Sequence, residues 1–133
     1  TKMNMKLEDF AIISETNKEF EEAVVSVLKA VEQKGWTVFN VYDIKERLEA
    51  KGFKREPLKI IEICSGKHAD RILNQDVFMS LCMPCKINVI KKDDKVLIAS
   101  AKPAFASEIM PKIKKEDLES IEQEIREIIN NSK

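Results

Sequence analysis

Ile87-Asn88-Val89-Ile90-Lys91-Lys92-Asp93-Asp94-Lys95-Val96-Leu97-Ile98-Ala99 is the stretch that decides the fold class. Two runs of aliphatic and β-branched residues flank Asp93-Asp94, and a two-residue connection of this kind closes an antiparallel pair through a tight turn. The reading is a hairpin with strands over 87–91 and 95–99. Lys91, Lys92 and Lys95 crowd the turn, where charge keeps a strand edge soluble and unpaired with other chains.

Working outward, the spacing changes from alternation to helical repeats. Phe20, Val24, Val27, Leu28 and Val31 recur at three- and four-residue steps, so one face of a first long helix meets a core. Thr16 followed by Glu19 reads as its capping box, and Gly35 as its stop. Lys6 to Ser14, with Phe10-Ala11-Ile12-Ile13 at its centre, reads as the preceding strand. Thr37 to Tyr42 reads as the next strand. Asp43 with Glu46 then starts a short helix edged by Ile44 and Leu48 and stopped by Gly52. Pro57 opens the strand Leu58 to Cys64, and Gly66 breaks it before a short helix carrying Ala69, Ile72 and Leu73.

After the hairpin, 103–111 reads as an irregular connection. A final helix from about Lys115 carries Leu118, Ile121, Ile125 and Ile128 on one stripe, which docks on the sheet or, as the alternative, on a partner helix. Trp36 reads as a packing anchor, and Met79 and Met83 as core fillers. Mixed strands and helices around an antiparallel hairpin make an α+β protein, its helices covering one face of an antiparallel sheet.

At 133 residues the chain holds one domain, 1–133, with one core. Its 23 basic and 23 acidic residues cancel, so charge gives no reason to expect nucleic acid or an anionic membrane. No apolar run reaches the roughly 18 residues of a membrane span. TKMNMKLEDF lacks the apolar core and cleavage site of a secretory leader, so the expected location is the cytoplasm. Three cysteines in a reducing compartment do not form a disulfide framework. There is no Gly-rich phosphate loop and no paired-carboxylate arrangement, and no cofactor is expected.

The chemistry-bearing side chains gather in one segment: Cys64, His68, Cys82 and Cys85, where His68 is the only histidine. Cys64 ends a strand just before a helix, whose N-terminal amides favour a thiolate and lower its pKa. His68, four residues on, shares a face with that turn, so thiol and imidazole are the raw material of a nucleophile–base pair. Cys82-Met-Pro-Cys85 has CxxC spacing, yet it precedes a strand, whereas redox sites of thioredoxin type open a helix. Cys64, His68, Cys82 and Cys85 also make a plausible zinc ligand set. Against these stands the reading of inert cysteines that serve as small apolar groups in the core. Gly66, Lys67, Arg71 and Lys86 form a candidate anion-binding frame at the helix start, the alternative being a solvated basic edge.

Several stretches together resemble the family with a domain of unknown function numbered 302. They are Phe20-Glu21-Glu22-Ala23, Gly35-Trp36-Thr37-Val38-Phe39, Asp43-Ile44 with Leu48 and Gly52, Lys59 to Cys64, Ala69 with Leu73, and Met83-Pro84-Cys85-Lys86-Ile87. The order and spacing run from about Phe20 to Ala99. The resemblance implies a curved antiparallel sheet backed by helices, broadly like the TATA-binding-protein fold, without DNA binding, and a homodimer. Cys64 and Cys85 match the recurrent pair of that family, whereas Cys82 is extra and Ser65-Gly66 stands where Asn-Pro is frequent.

The expected function is a thiol-based binding or sulfur/redox accessory protein. In that reading Cys64 is the activated thiol, Cys85 its partner and His68 the adjacent acid–base group. The alternatives are a non-catalytic ligand-binding or assembly module with buried cysteines, using a pocket between sheet and helices, and a zinc-binding protein.

Overall fold

Asp93 and Asp94 both take left-handed backbone angles, φ 51° and 62°. This conformation twists a two-residue hairpin in the same sense as its strands. They join β4 (Cys85–Lys92) to β5 (Lys95–Ala101), with Lys92 opposite Lys95 and Asn88 opposite Ala99. The computed structural model describes residues 4–133; residues 1–3, on which part of the leader reading rests, lie outside the described residues.

The other strands are β1 (Ala11–Thr16), β2 (Thr37–Asp43) and β3 (Leu58–Cys64). The curled, open sheet has the order β1-β5-β4-β3-β2 and is antiparallel at every step. From β2 to β5 the chain runs as a meander, each strand pairing with the next. β1 reaches the edge beside β5 because α2 (Phe20–Gln33) crosses from one edge of the sheet to the other. α5 (Lys115–Ser132) packs beside α2 on the same face. Alternation along the strands sends Ile61, Ile63, Ile87, Val89, Val96 and Ile98 to that face. There they meet Val27 and Val31 of α2 and Leu118, Ile125 and Ile128 of α5 in one buried cluster.

The end of α2 orients the site. Gly35, at φ 83°, sits one residue beyond the cap, its N–H donating to the Glu32 carbonyl and that of Trp36 to the Val31 carbonyl. This is the Schellman arrangement, and a side chain at position 35 would strain it. It turns Trp36 back under the sheet, where it is buried. α3 (Ile44–Glu49) starts as expected, the Asp43 carboxylate accepting from the Glu46 N–H at 3.0 Å.

Three local expectations are corrected. Leu7–Phe10 forms a single helical turn, α1, instead of strand: the Asp9 carboxylate accepts from the Lys6 N–H at 3.0 Å and closes it. Thr16 does not cap α2. It is the last residue of β1, opposite Val96, its hydroxyl accepts from the Lys18 N–H, and Glu19 sits at the cap without a side-chain bond. Pairing with β5 has taken the residue that a local capping signal claimed. Within 103–111, Pro103–Glu108 forms a 3₁₀ segment.

Between β3 and β4 the chain leaves the sheet as α4 (Gly66–Gln75), then a 3₁₀ segment (Val77–Cys82), and returns through a cis Met83–Pro84 bond.

Candidate apolar cavity at the sheet end

The end of β3, the start of β4, the end of β5 and the start of β1 lie at the same end of the sheet, as the antiparallel registers require. The Lys102 N–H donates to the Phe10 carbonyl there at 2.7 Å. Both irregular excursions, 65–84 and 102–110, therefore leave from this end. They enclose a cavity of about 420 Å³, within the roughly 300–1,000 Å³ usual for small-molecule sites. Ile63, Cys64 and Cys85 line it from the strands, and His68, Ala69 and Ile72 from α4. Met79, Met83, Phe105 and Ala106 line it from the excursions, with Trp36 and Ile121 behind. Exposed lining residues, Phe10, Cys82, Lys86 and Ile109, mark its mouth. Phe10 and Phe105 meet edge to face there, with centroids 5.5 Å apart.

The most buried polar side chain of the wall is His68, only 4% exposed. Its Nε2 lies 2.6 Å from Glu124 Oε2, while the other carboxylate oxygen accepts from the Trp36 indole N–H at 2.9 Å. Burial opposes ionisation of Glu124. The hydrogen bonds from Trp36 and His68, and the electrostatic attraction of the His68 ring and of Lys34, outweigh it and hold the carboxyl below its ordinary range. An ionised carboxylate only accepts, so Nε2 carries hydrogen. Nδ1, also buried, has no protein partner. Trp36 and Glu124 thus fix the ring while leaving its second nitrogen uncommitted. Lys34, paired with Glu127, adds positive charge behind Glu124.

All three thiols are free, and all three line this cavity. Burial pushes the Cys64 thiol up. It pushes that of Cys85 up to about 11, the neighbouring Cys64 adding to the shift and Lys86 opposing it. The direction is opposite to the expected activation of Cys64 by the helix N-terminus, because desolvation of the thiol is the cause that acts on it. The nucleophile–base pair is corrected too, because the hydrogen bond of His68 goes to Glu124, 56 residues away, and not to Cys64.

The candidates for binding are only partly brought together. Lys86 lines the cavity mouth and Gly66 opens α4, but Lys67 points to solvent and Arg71 turns to Asp117 at 3.5 Å, so the four do not form one frame. Cys64, His68, Cys82 and Cys85 do not converge as zinc ligands. Among the described residues no group of three or more His, Cys, Asp or Glu is placed to hold a metal ion.

Sequence reasoning missed Glu124, Lys102 and the lining role of Trp36. One signal was present: Glu124 lies between Ile121 and Ile125 on the buried stripe of α5, where a carboxylate needs a partner.

The fold recurs in a solved structure, the crystal structure of an uncharacterized conserved DUF302 protein from Bacillus stearothermophilus. Its TM-score is 0.88 at 24% identity, with 93% of this chain and 98% of that one covered. No curated protein matches. The family described as "Domain of unknown function DUF302" matches residues 12–132, so with its five-stranded antiparallel sheet and helices on one face the chain belongs to that family.

Proposed function

We propose that the protein binds a small, largely apolar molecule in the cavity at the sheet end, with His68 as the polar anchor. The observation that carries this reading is a cavity lined mainly by apolar side chains with the buried His68 in its wall, whose Nδ1 has no protein partner. A buried polar atom without a hydrogen bond costs about 1–3 kcal/mol, and a ligand group that completes it recovers that cost. The ring is already held by Glu124, so little ordering opposes binding. Trp36, the only tryptophan, lines the cavity and reports its occupancy. Titration with 1-octanol should change Trp36 emission saturably, and Ala69→Phe, which fills the cavity from α4, should weaken binding at least tenfold. Unchanged emission, or equal affinity in Ala69→Phe, would defeat the reading.

A second reading has one observation in its favour: three thiols share the lining of one cavity. In that reading Cys64 and Cys85 serve a sulfur or redox accessory role. Mild oxidation of native protein should then join them whether or not Cys82 is present, and two thiols that survive oxidant would end it. Free thiols suit a reducing compartment, and we place the protein in the cytoplasm on that ground. We further propose a homodimer: the sheet face away from α2 and α5 carries Ile13, Leu58, Ile60, Ile90 and Leu97, Ile13 being 43% exposed. Light scattering at micromolar concentration should give twice the chain mass of 15.3 kDa, and a monomer would contradict it.

A further inference from the structure

We infer that the ligand of this cavity is an apolar monocarboxylic acid, its carboxylate seated against His68 with Lys86 and Lys102 at the mouth. The inference rests on the cavity reading above and adds the chemical class. Three independent features favour an anion.

The lining includes two lysines and a histidine but no aspartate or glutamate. Neither Lys86 nor Lys102 forms an ion pair among the described residues, although lysines elsewhere in the chain do. In a chain with 23 acidic and 23 basic residues, this one-sided lining is a local choice.

The second feature is the start of α4. Ser65, its buried cap residue, lines the cavity and makes no side-chain capping bond, and the first turn of α4 holds no acidic residue. α2 and α5 both carry carboxylates in their first turns. The open amides of a ten-residue helix thus begin at the cavity wall, where a negative group is stabilised.

The third feature is the Nδ1 atom. With Nε2–H committed to Glu124, a carboxylate R–COO⁻ that reaches Nδ1 shares with it one proton taken up from solvent, bound on Nδ1 and donated to the carboxylate. The ring then stands as imidazolium between two carboxylates, a charge-assisted hydrogen bond on each side. One proton enters from solvent with each carboxylate bound, so the cavity gains no net charge on binding. An alcohol completes Nδ1 but leaves the lysines and helix amides unused, and an ammonium is repelled by the lysines. The apolar tail lies among Ile72, Met79 and Phe105.

The test titrates the whole protein with octanoate, 1-octanol and octylammonium, following Trp36 emission and heat. Octanoate should bind at least tenfold more tightly than 1-octanol, and octylammonium most weakly. Lys86→Gln with Lys102→Gln, both away from the packed core, should reduce the octanoate to 1-octanol affinity ratio below three. His68→Asn should do the same if it folds. Should 1-octanol bind as tightly as octanoate, or the ratio survive the lysine changes, the acid inference falls while the cavity reading stands. Should none of the three probes bind in a manner that Ala69→Phe prevents, the cavity reading falls and the acid inference with it.

Discussion

Replacing Glu124 by alanine leaves two buried donors, the Trp36 indole N–H and the His68 ring N–H, without their acceptor. Each unsatisfied donor costs about 1–3 kcal/mol. The Glu124 side chain is 21% exposed, so water reaches part of the gap and the lower half of the range applies. Glu124→Ala should therefore destabilise by about 3 kcal/mol, which at a urea slope of about 2 kcal/mol/M lowers the midpoint by roughly 1.5 M. Glu124→Gln should cost less, about 1–2 kcal/mol. Its carbonyl still accepts from Trp36, and its NH₂ faces His68 Nε2, which must become the acceptor. The imidazole proton then moves to Nδ1, a tautomer change that ¹⁵N NMR of the single histidine detects directly.

The same pair of variants reads the pH dependence. The folded-state pKa of Glu124 lies below the ordinary glutamate value of 4.5. Its contribution is therefore complete above about 4.5 and is lost as pH falls through the lower folded value. Glu124→Gln should lack that part of the acid destabilisation. Urea unfolding followed by far-UV circular dichroism, which does not depend on Trp36, supplies the stabilities. Alanine and glutamine variants both within 0.5 kcal/mol of wild type, or an unchanged histidine tautomer in Glu124→Gln, would refute the reasoning.

Three further predictions test the thiols, the turn and the core. Cys82, exposed at the cavity mouth, should alkylate first at pH 8. Cys85, near pKa 11, should react roughly 200-fold more slowly than a free thiol of pKa about 8.5, and rapid labelling of Cys85 in native protein would contradict this. Asp94→Gly places the residue suited to φ 62° at the hairpin turn, and should stabilise by about 0.5–1 kcal/mol in urea unfolding; a loss would mean the carboxylate matters there. Ile125→Ala, at a fully buried position of α5, should cost about 3–5 kcal/mol, whereas a cost below 1 kcal/mol would show α5 to be loosely packed.

The architecture was legible because its signals are local. Asp93-Asp94 between aliphatic runs specified the hairpin, and the stripes at Phe20 to Val31 and Leu118 to Ile128 specified which helix faces are buried. Local reasoning failed at Thr16 and Leu7–Phe10, where pairing with β5 and a side-chain closure by Asp9 decided the outcome. The cavity was half legible. Cys64, His68, Cys82, Cys85 and Lys86 do line it, but their chemistry depends on surroundings that spacing does not encode. His68 is governed by a carboxylate on another helix, and the Cys64 and Cys85 thiols by desolvation that follows only once two excursions from one sheet end close over them.

The most direct test of the central claim is a crystal structure of the protein soaked with octanoate. The alkyl chain is expected between Ile72, Met79 and Phe105, with a carboxylate oxygen about 3 Å from Nδ1 of His68. A chain bound only at the outer surface would contradict it, and so would an Nδ1 bonded to the protein itself beside an unoccupied cavity.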